Sequence, residues 1–90
     1  MWDKTKATNN QRKHGVSFEE ARTVFSDPLA RIFDDEGHSS AEHREIIIGP
    51  SAAQRLLIVS FTERQNAIRI ISARLTTNRE RKDYEEHVFP

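Results

Sequence analysis

The spacing of apolar residues changes period near Pro28, and that change divides the chain into its elements. Ahead of it, Phe18, Ala21 and Phe25 recur at i, i+3 and i+7 with Val24 beside them, the spacing of one helix face. Ser17-Phe18-Glu19-Glu20 reads as a capping box at the start of that helix: the Ser17 hydroxyl accepts from the Glu20 amide while the Glu20 carboxylate reaches back to the Ser17 amide. Pro28 stops it. Residues 3 to 13 are polar and helix-compatible, predicting an earlier helix with a weak apolar stripe, ended by Gly15, whose freedom at positive φ suits a helix C-terminus.

Beyond Pro28 the pattern is extended. Leu29 to Phe33 and Arg44 to Ile48 read as two strands joined by the polar loop Asp34 to His43. After a Gly49-Pro50-Ser51 turn, Arg55 to Thr62 and Ala67 to Arg74 read as two more, joined near Arg64-Gln65-Asn66. Short connections favour antiparallel neighbours. The last two strands carry apolar residues on both faces and are expected at the centre of the sheet. Thr77-Asn78-Arg79-Glu80 forms a second capping box opening a helix through about His87, whose large apolar residues are Tyr84 and Val88. The expected fold is α+β, a single domain over residues 1–90: two N-terminal helices, a four-stranded antiparallel sheet and a C-terminal helix. Its core should hold Phe18, Ala21, Phe25, Ile47, Leu57, Val59, Phe61 and Ile71.

Ninety residues make one domain with a modest core. The formal charge is zero, but residues 1 to 33 carry six basic and four acidic side chains, residues 34 to 63 two and six, and residues 64 to 90 six and four, so an acidic middle separates two basic ends. That profile suits a local basic cleft, and equally an ordinary solvated surface. The absence of cysteine removes disulfides, thiolate metal sites and thiol nucleophiles, and fits a reducing cytoplasm. Ile46-Ile47-Ile48 and Leu56-Leu57-Ile58-Val59 are too short to span a bilayer, so no membrane partner is expected.

Three arginines, Arg64, Arg69 and Arg74, punctuate the last strand and the turn before it, at a density that suggests an anion is held; RNA phosphate is the natural candidate. They also suit ion pairs with Glu63, Glu45 or Glu20. Strict alternation would put Arg69 with Ile71 and Ala73, and Arg74 with Ile68, Ile70 and Ser72, on opposite faces. Arg64 and Arg74 are therefore preferred as anion binders, with Arg69 a weaker choice. Histidine is the side-chain type whose unperturbed pKa lies near neutrality, so His14 suits proton transfer, or serves as a helix-end histidine. Tyr84 suits base stacking or packing against Val88. His38 and His43, among Asp34, Asp35, Glu36 and Glu42, lack the fixed spacing of metal ligands, and no metal or other cofactor is expected.

Trp2-Asp3, Arg12-Lys13-His14-Gly15-Val16-Ser17-Phe18-Glu19-Glu20-Ala21, Phe61-Thr62-Glu63-Arg64, Ile70-Ile71-Ser72-Ala73-Arg74 and Arg79-Glu80-Arg81-Lys82-Asp83-Tyr84-Glu85 occur in order along nearly the whole chain. In these blocks the sequence resembles the BrnT family of type II toxin-antitoxin toxins, small bacterial ribonucleases with a RelE-like fold. Members of that family usually carry residues ahead of the Trp-Asp pair and an apolar residue where Gln11 stands, so either a truncated or a loosely packed start of the chain is expected. The resemblance implies metal-independent RNA cleavage in the cytoplasm, with His14, Arg64 and Arg74 catalytic and Lys13, Arg69, Arg79, Arg81 and Tyr84 binding RNA. It implies as partner a BrnA-like antitoxin with a ribbon-helix-helix domain, through which alone operator DNA would be met, and allows a toxin-antitoxin heterotetramer. Two other classes use the same arginines: a non-catalytic RNA- or DNA-binding module, and a protein-interaction domain held by ion pairs.

Overall fold

A computed structural model describes residues 2–35 and 43–88, with side chains through His87. The first helix, α1, spans Lys4–His14. The Asp3 carboxylate caps it, accepting from the amides of Thr5 at 2.8 Å and Lys6 at 3.1 Å. It ends at Gly15, where φ of 70° allows the amide to close on the Gln11 carbonyl at 2.9 Å. The second helix, α2, spans Phe18–Thr23 and tightens into a 3-10 turn over Val24–Ser26. That tightening turns Val24 fully inward and leaves Phe25 half-buried, reversing their expected roles. Half of the first capping box forms: the Glu20 amide donates to Ser17 Oγ at 3.0 Å, but the Glu20 carboxylate turns away to Arg55 and Ser51.

Four strands follow: β1 (Arg31–Asp34), β2 (Glu45–Pro50), β3 (Leu56–Arg64) and β4 (Ala67–Leu75), in the order β1-β2-β3-β4 and antiparallel throughout. Gly49 and Pro50, read from sequence as a turn, continue β2 opposite Leu57 and Leu56. Gly49 is needed there, because a Cβ would come within 2.8 Å of the Ala30 Cβ. The β3–β4 hairpin turns on Gln65 and Asn66, both at positive φ, the two-residue turn whose twist matches the strands. The last helix, α3, spans Asn78–Val88 behind a complete capping box: the Glu80 amide donates to Thr77 Oγ1 at 3.2 Å and the Thr77 amide to Glu80 Oε1 at 2.9 Å.

One sheet face lies under α1 and α2. There Val16, Phe18, Ala21, Val24, Ile47, Leu57, Val59, Phe61, Ile70 and Ala73 form the core. Ile71, expected among them, is half-buried. The cause is a β-bulge in β4: Ser60 pairs with Ser72 but Phe61 pairs with Ile70, so Ile71 has no partner of its own. The extra residue shifts the alternation by one, which is why Ile70 and Ala73, three apart, are both buried on the helical face.

β4 is an edge strand, where a central one was expected, and α1 seals that edge. Asn10, 7% exposed, accepts from the Ala73 amide at 3.1 Å and donates to the Ala73 carbonyl at 2.8 Å and the Val16 carbonyl at 3.0 Å. A side-chain amide has the donor and acceptor of a peptide group, so it substitutes for a further strand. The first helix is thus held by a polar tether where an apolar stripe is lacking. At the opposite edge, Ile32 of β1 is 55% exposed.

Asn10→Ala strands the amide and carbonyl of Ala73 and the carbonyl of Val16, and at roughly 1–3 kcal/mol for each unsatisfied buried group is expected to cost about 3 kcal/mol or more in urea denaturation. The Ala73 amide should at the same time lose its protection from hydrogen exchange.

Candidate active site

The bulge decides which charges share a surface. Ile58, Ser60 and Thr62 of β3 point away from the helical face, and their cross-strand partners are Arg74, Ser72 and Arg69. Arg69 and Arg74, placed on opposite faces by strict alternation, therefore stand on one face with two serines between them. Four residues of β3 separate their partners, about 13 Å along the strand. Arg64 closes β3 on the same parity, but lies six residues from Ile58, about 20 Å from the level of Arg74. Arg64 and Arg74, preferred from the sequence as anion binders, are thus set far apart along the strand, with Arg69 between their levels.

Arg74 is held by a partner the sequence reading did not name. Its two terminal nitrogens donate to the two Glu80 oxygens at 2.8 and 2.9 Å, and Nη1 also reaches the Leu75 carbonyl at 3.2 Å. Three of five guanidinium N–H groups are thereby used, which leaves two for a ligand. The Arg74 bonds, with those of Thr77, pull the Glu80 carboxyl down to about 2, and the pairing raises Arg74 in return. Glu80 so joins the strand end to the start of α3.

Beneath α3 a cavity of about 350 Å³ is lined by Phe33, Ile46, Ile48, Ile58, Arg74, Glu80, Asp83, Tyr84 and His87. Glu80, Asp83, Tyr84 and His87 fall on one helix face by their spacing at i, i+3, i+4 and i+7. That spacing was present in the sequence as the signal for Glu80, Asp83 and His87, none of which was read as site-forming. Tyr84 is buried, and its hydroxyl donates to the Leu29 carbonyl at 2.7 Å. Burial and then Asp27 raise its pKa. Its role is to dock α3, with one ring side on the cavity; the side chain of Val88, its expected neighbour, lies outside the described residues. His87 meets Phe33 edge-on, with centroids 5.8 Å apart.

The other sequence candidates are scattered around this cleft. Lys13 is exposed and His14 half-buried in the last turn of α1, one turn beyond Asn10 and so alongside the Leu75 end of β4, near Arg74 in level but past the strand's edge. Arg69 lies close enough to Asp3 to help the capping amides lower that carboxyl. Arg79 is exposed on α3, and Arg81 faces a hollow with Leu29, Gln54 and Leu56 on the other flank of Tyr84. On the helical side, Arg55 binds both oxygens of Glu20, Nε at 2.9 Å, and donates to the Gly15 carbonyl at 3.1 Å; this pairing keeps the Glu20 carboxyl low. It ties β3 to α2 and is structural.

Among the described residues, Asp34, His43 and Glu45 bring ligand atoms within 4.8 Å of one another. Asp34 and His43 are largely exposed, and His43 Nε2 contacts Asp34 Oδ1 at 3.2 Å, the geometry of a surface ion pair. His38, Glu36 and Glu42 lie outside the described residues. Among the described residues no helix is long and apolar enough to cross a membrane.

Residues 2–80 match a family described as the ribonuclease toxin BrnT of type II toxin-antitoxin systems. The fold is similar to the crystal structure of the Brucella abortus ribonuclease toxin BrnT, with a TM-score of 0.66 and 26% identity over 87% of this chain and 95% of that one. No curated protein matches.

The Arg74–Glu80 pair makes stability depend on acid. A carboxyl whose pKa falls from 4.5 to about 2 on folding stabilises the native state fully above pH 4.5 and loses that contribution as pH drops towards 2. Urea midpoints measured between pH 2 and 7 should therefore fall less steeply with acid in Glu80→Gln than in the parent protein, the two curves converging at the acid end.

Proposed function

Because the chain belongs to the BrnT family of type II toxin-antitoxin ribonuclease toxins, we propose that it cleaves RNA without a metal ion, on the sheet face that carries Arg69, Ser72 and Arg74. The observation that carries this reading is the bulge at Ile71, which puts Arg69 on the same sheet face as Arg74, with Ser60 and Ser72 between them and Arg74 lining the α3 cleft. Cleavage of RNA needs no protein nucleophile when the ribose 2′-hydroxyl attacks the adjacent phosphate. A 2′,3′-cyclic phosphate forms as the 5′-oxygen leaves. The protein must then align the strand, accept a proton from the hydroxyl, return one to the leaving oxygen, and balance the charge that grows on phosphorus oxygens.

Arg74 has the attributes for the last task. Glu80 fixes its plane, so its two remaining donors are already oriented when the phosphate arrives, and little reorganisation is required in the transition state. Arg69, four β3 residues away, holds a neighbouring phosphate of the same strand; Ser60 and Ser72 offer hydroxyls between them. His14 reaches round the Leu75 end of β4 as proton carrier, with Lys13 on a flanking phosphate. Arg64 and Arg79 extend the positive surface at its ends, and Arg81 lies outside it. In the cell, RNA cleavage inhibits translation and growth, and a BrnA-like ribbon-helix-helix antitoxin neutralises the enzyme by covering the cleft, in a toxin-antitoxin assembly that meets operator DNA through the antitoxin.

The test is cleavage of a short RNA in EDTA. Activity should persist, leave a cyclic or 3′-phosphate, and fail where the scissile nucleotide is 2′-deoxy. Arg74→Ala should lower kcat by about two orders of magnitude, roughly 3 kcal/mol, with little change in RNA affinity. Cleavage of the deoxy substrate, or activity lost in EDTA and restored by magnesium, would refute the mechanism. Salt-sensitive RNA binding without cleavage would instead select the binding-module reading.

A further inference from the structure

The cavity under α3 has an apolar floor and a polar roof. Ile46, Ile48 and Ile58 form the floor on the sheet; the helix face above them presents Glu80, Asp83, Tyr84 and His87. A helix meant to pack on three isoleucines would turn apolar residues toward them, since burying ionisable groups against hydrocarbon is unfavourable without partners. Here all four facing residues are titratable, Tyr84 buried and Asp83 and His87 exposed at the rim, and a space of about 350 Å³ is left, within the roughly 300–1,000 Å³ of small-molecule sites. What fits between such surfaces is a flat ring with apolar faces and a hydrogen-bonding edge. In the RNA setting, that is an unstacked nucleobase.

We propose that the cavity is a guanine slot, which takes the base of the nucleotide whose phosphate rests on Arg74, and that Asp83 reads its Watson–Crick edge. This rests on the RNA-cleavage reading above. The assignment to guanine comes from elimination among the polar groups of the roof. Glu80 is committed to Arg74 and Thr77, and the Tyr84 hydroxyl to Leu29. The Asp83 carboxylate is exposed and makes no hydrogen bond or ion pair with another described residue, and it stands about 4.5 Å further along the helix axis than Glu80, one step into the slot from the phosphate end. An ionised carboxylate only accepts. Of the four RNA bases, guanine alone offers it two adjacent donors, N1–H and the N2 amino group. Adenine and cytosine set a bare ring nitrogen beside their amino group, and uracil flanks its single N–H with two carbonyls, so each would press a lone pair against the carboxylate. Phe33 and His87, edge to face at 5.8 Å, close the far end of the slot.

The isoleucines that form the floor are also its reporters. With isoleucine δ-methyls labelled, the protein is titrated with uncleavable 2′-O-methyl tetranucleotides carrying one G, A or C among uridines, and with guanosine monophosphate alone. The guanine-containing strand should shift Ile46, Ile48 and Ile58 while sparing Ile47 and Ile70 on the helical face, and bind at least tenfold tighter than the others; Asp83→Asn should erase that preference. Equal affinity for all strands, or shifts away from these three methyls, would overturn the slot. So would the free nucleotide binding as tightly as the strand, which would make the site one for mononucleotides. A parallel assay on ordinary RNA separates the two readings: cleavage with no guanine preference at the junction refutes the slot and leaves the nuclease standing, whereas guanine-selective methyl shifts with no cleavage support the slot and refute the nuclease.

Discussion

One side-chain amide holds the first helix, the interhelical turn and the sheet edge in a fixed relation. Asn10 meets both backbone groups of Ala73 and the Val16 carbonyl from a nearly dry position. Buried polar groups must be paired, and β4 as an edge strand would otherwise expose the amide and carbonyl of Ala73. With the bonds in place, α1 runs beside β4, which sets His14 at the level of Leu75. Val16 and Phe18 are then led into the core directly after the turn. The helix itself adds little apolar packing, chiefly Ala7, with Trp2 ahead of it set edge-on to Phe18.

The same strand carries the second constraint. A single unpaired residue, Ile71, changes the partner of every residue on one side of it relative to the other. Sheet register is binary, so the change is total: Ile70 goes to the core and Arg69 joins Arg74 outside. Surface charge is thus arranged by a backbone irregularity in the middle of the strand. Arg74 is then fixed by Glu80, whose carboxylate completes the cap of α3, so strand end, helix start and cation plane are set by one group.

What was legible in the sequence follows from how local each cause is. Gly15, the Thr77–Glu80 box, the Gln65–Asn66 turn and the period of each strand act within a few residues, and each was readable. The family, too, was visible in its blocks. The bulge was not, because it depends on β3 and β4 together and leaves no mark of composition at Ile71. For the same reason Glu20 was assigned to its own helix cap, when Arg55, 35 residues on, offers two charged donors against one amide. The place of β4 at the edge was missed because its apolar residues on both faces suggested a centre, and the strand that would have flanked it is replaced by one asparagine. The cleft residues of α3 were overlooked since charged positions on a short helix ordinarily face water.

The two edges of the sheet are unequal, and this limits how copies of the chain can assemble. Continuous growth of a sheet requires every added unit to bring a fresh edge on its far side. Here α1 occupies the β4 edge through Asn10, so among the described residues β1, with Ile32 outward, is the edge that could receive another strand. If two copies met there, each would terminate the other. Strand addition by that route would close at two copies.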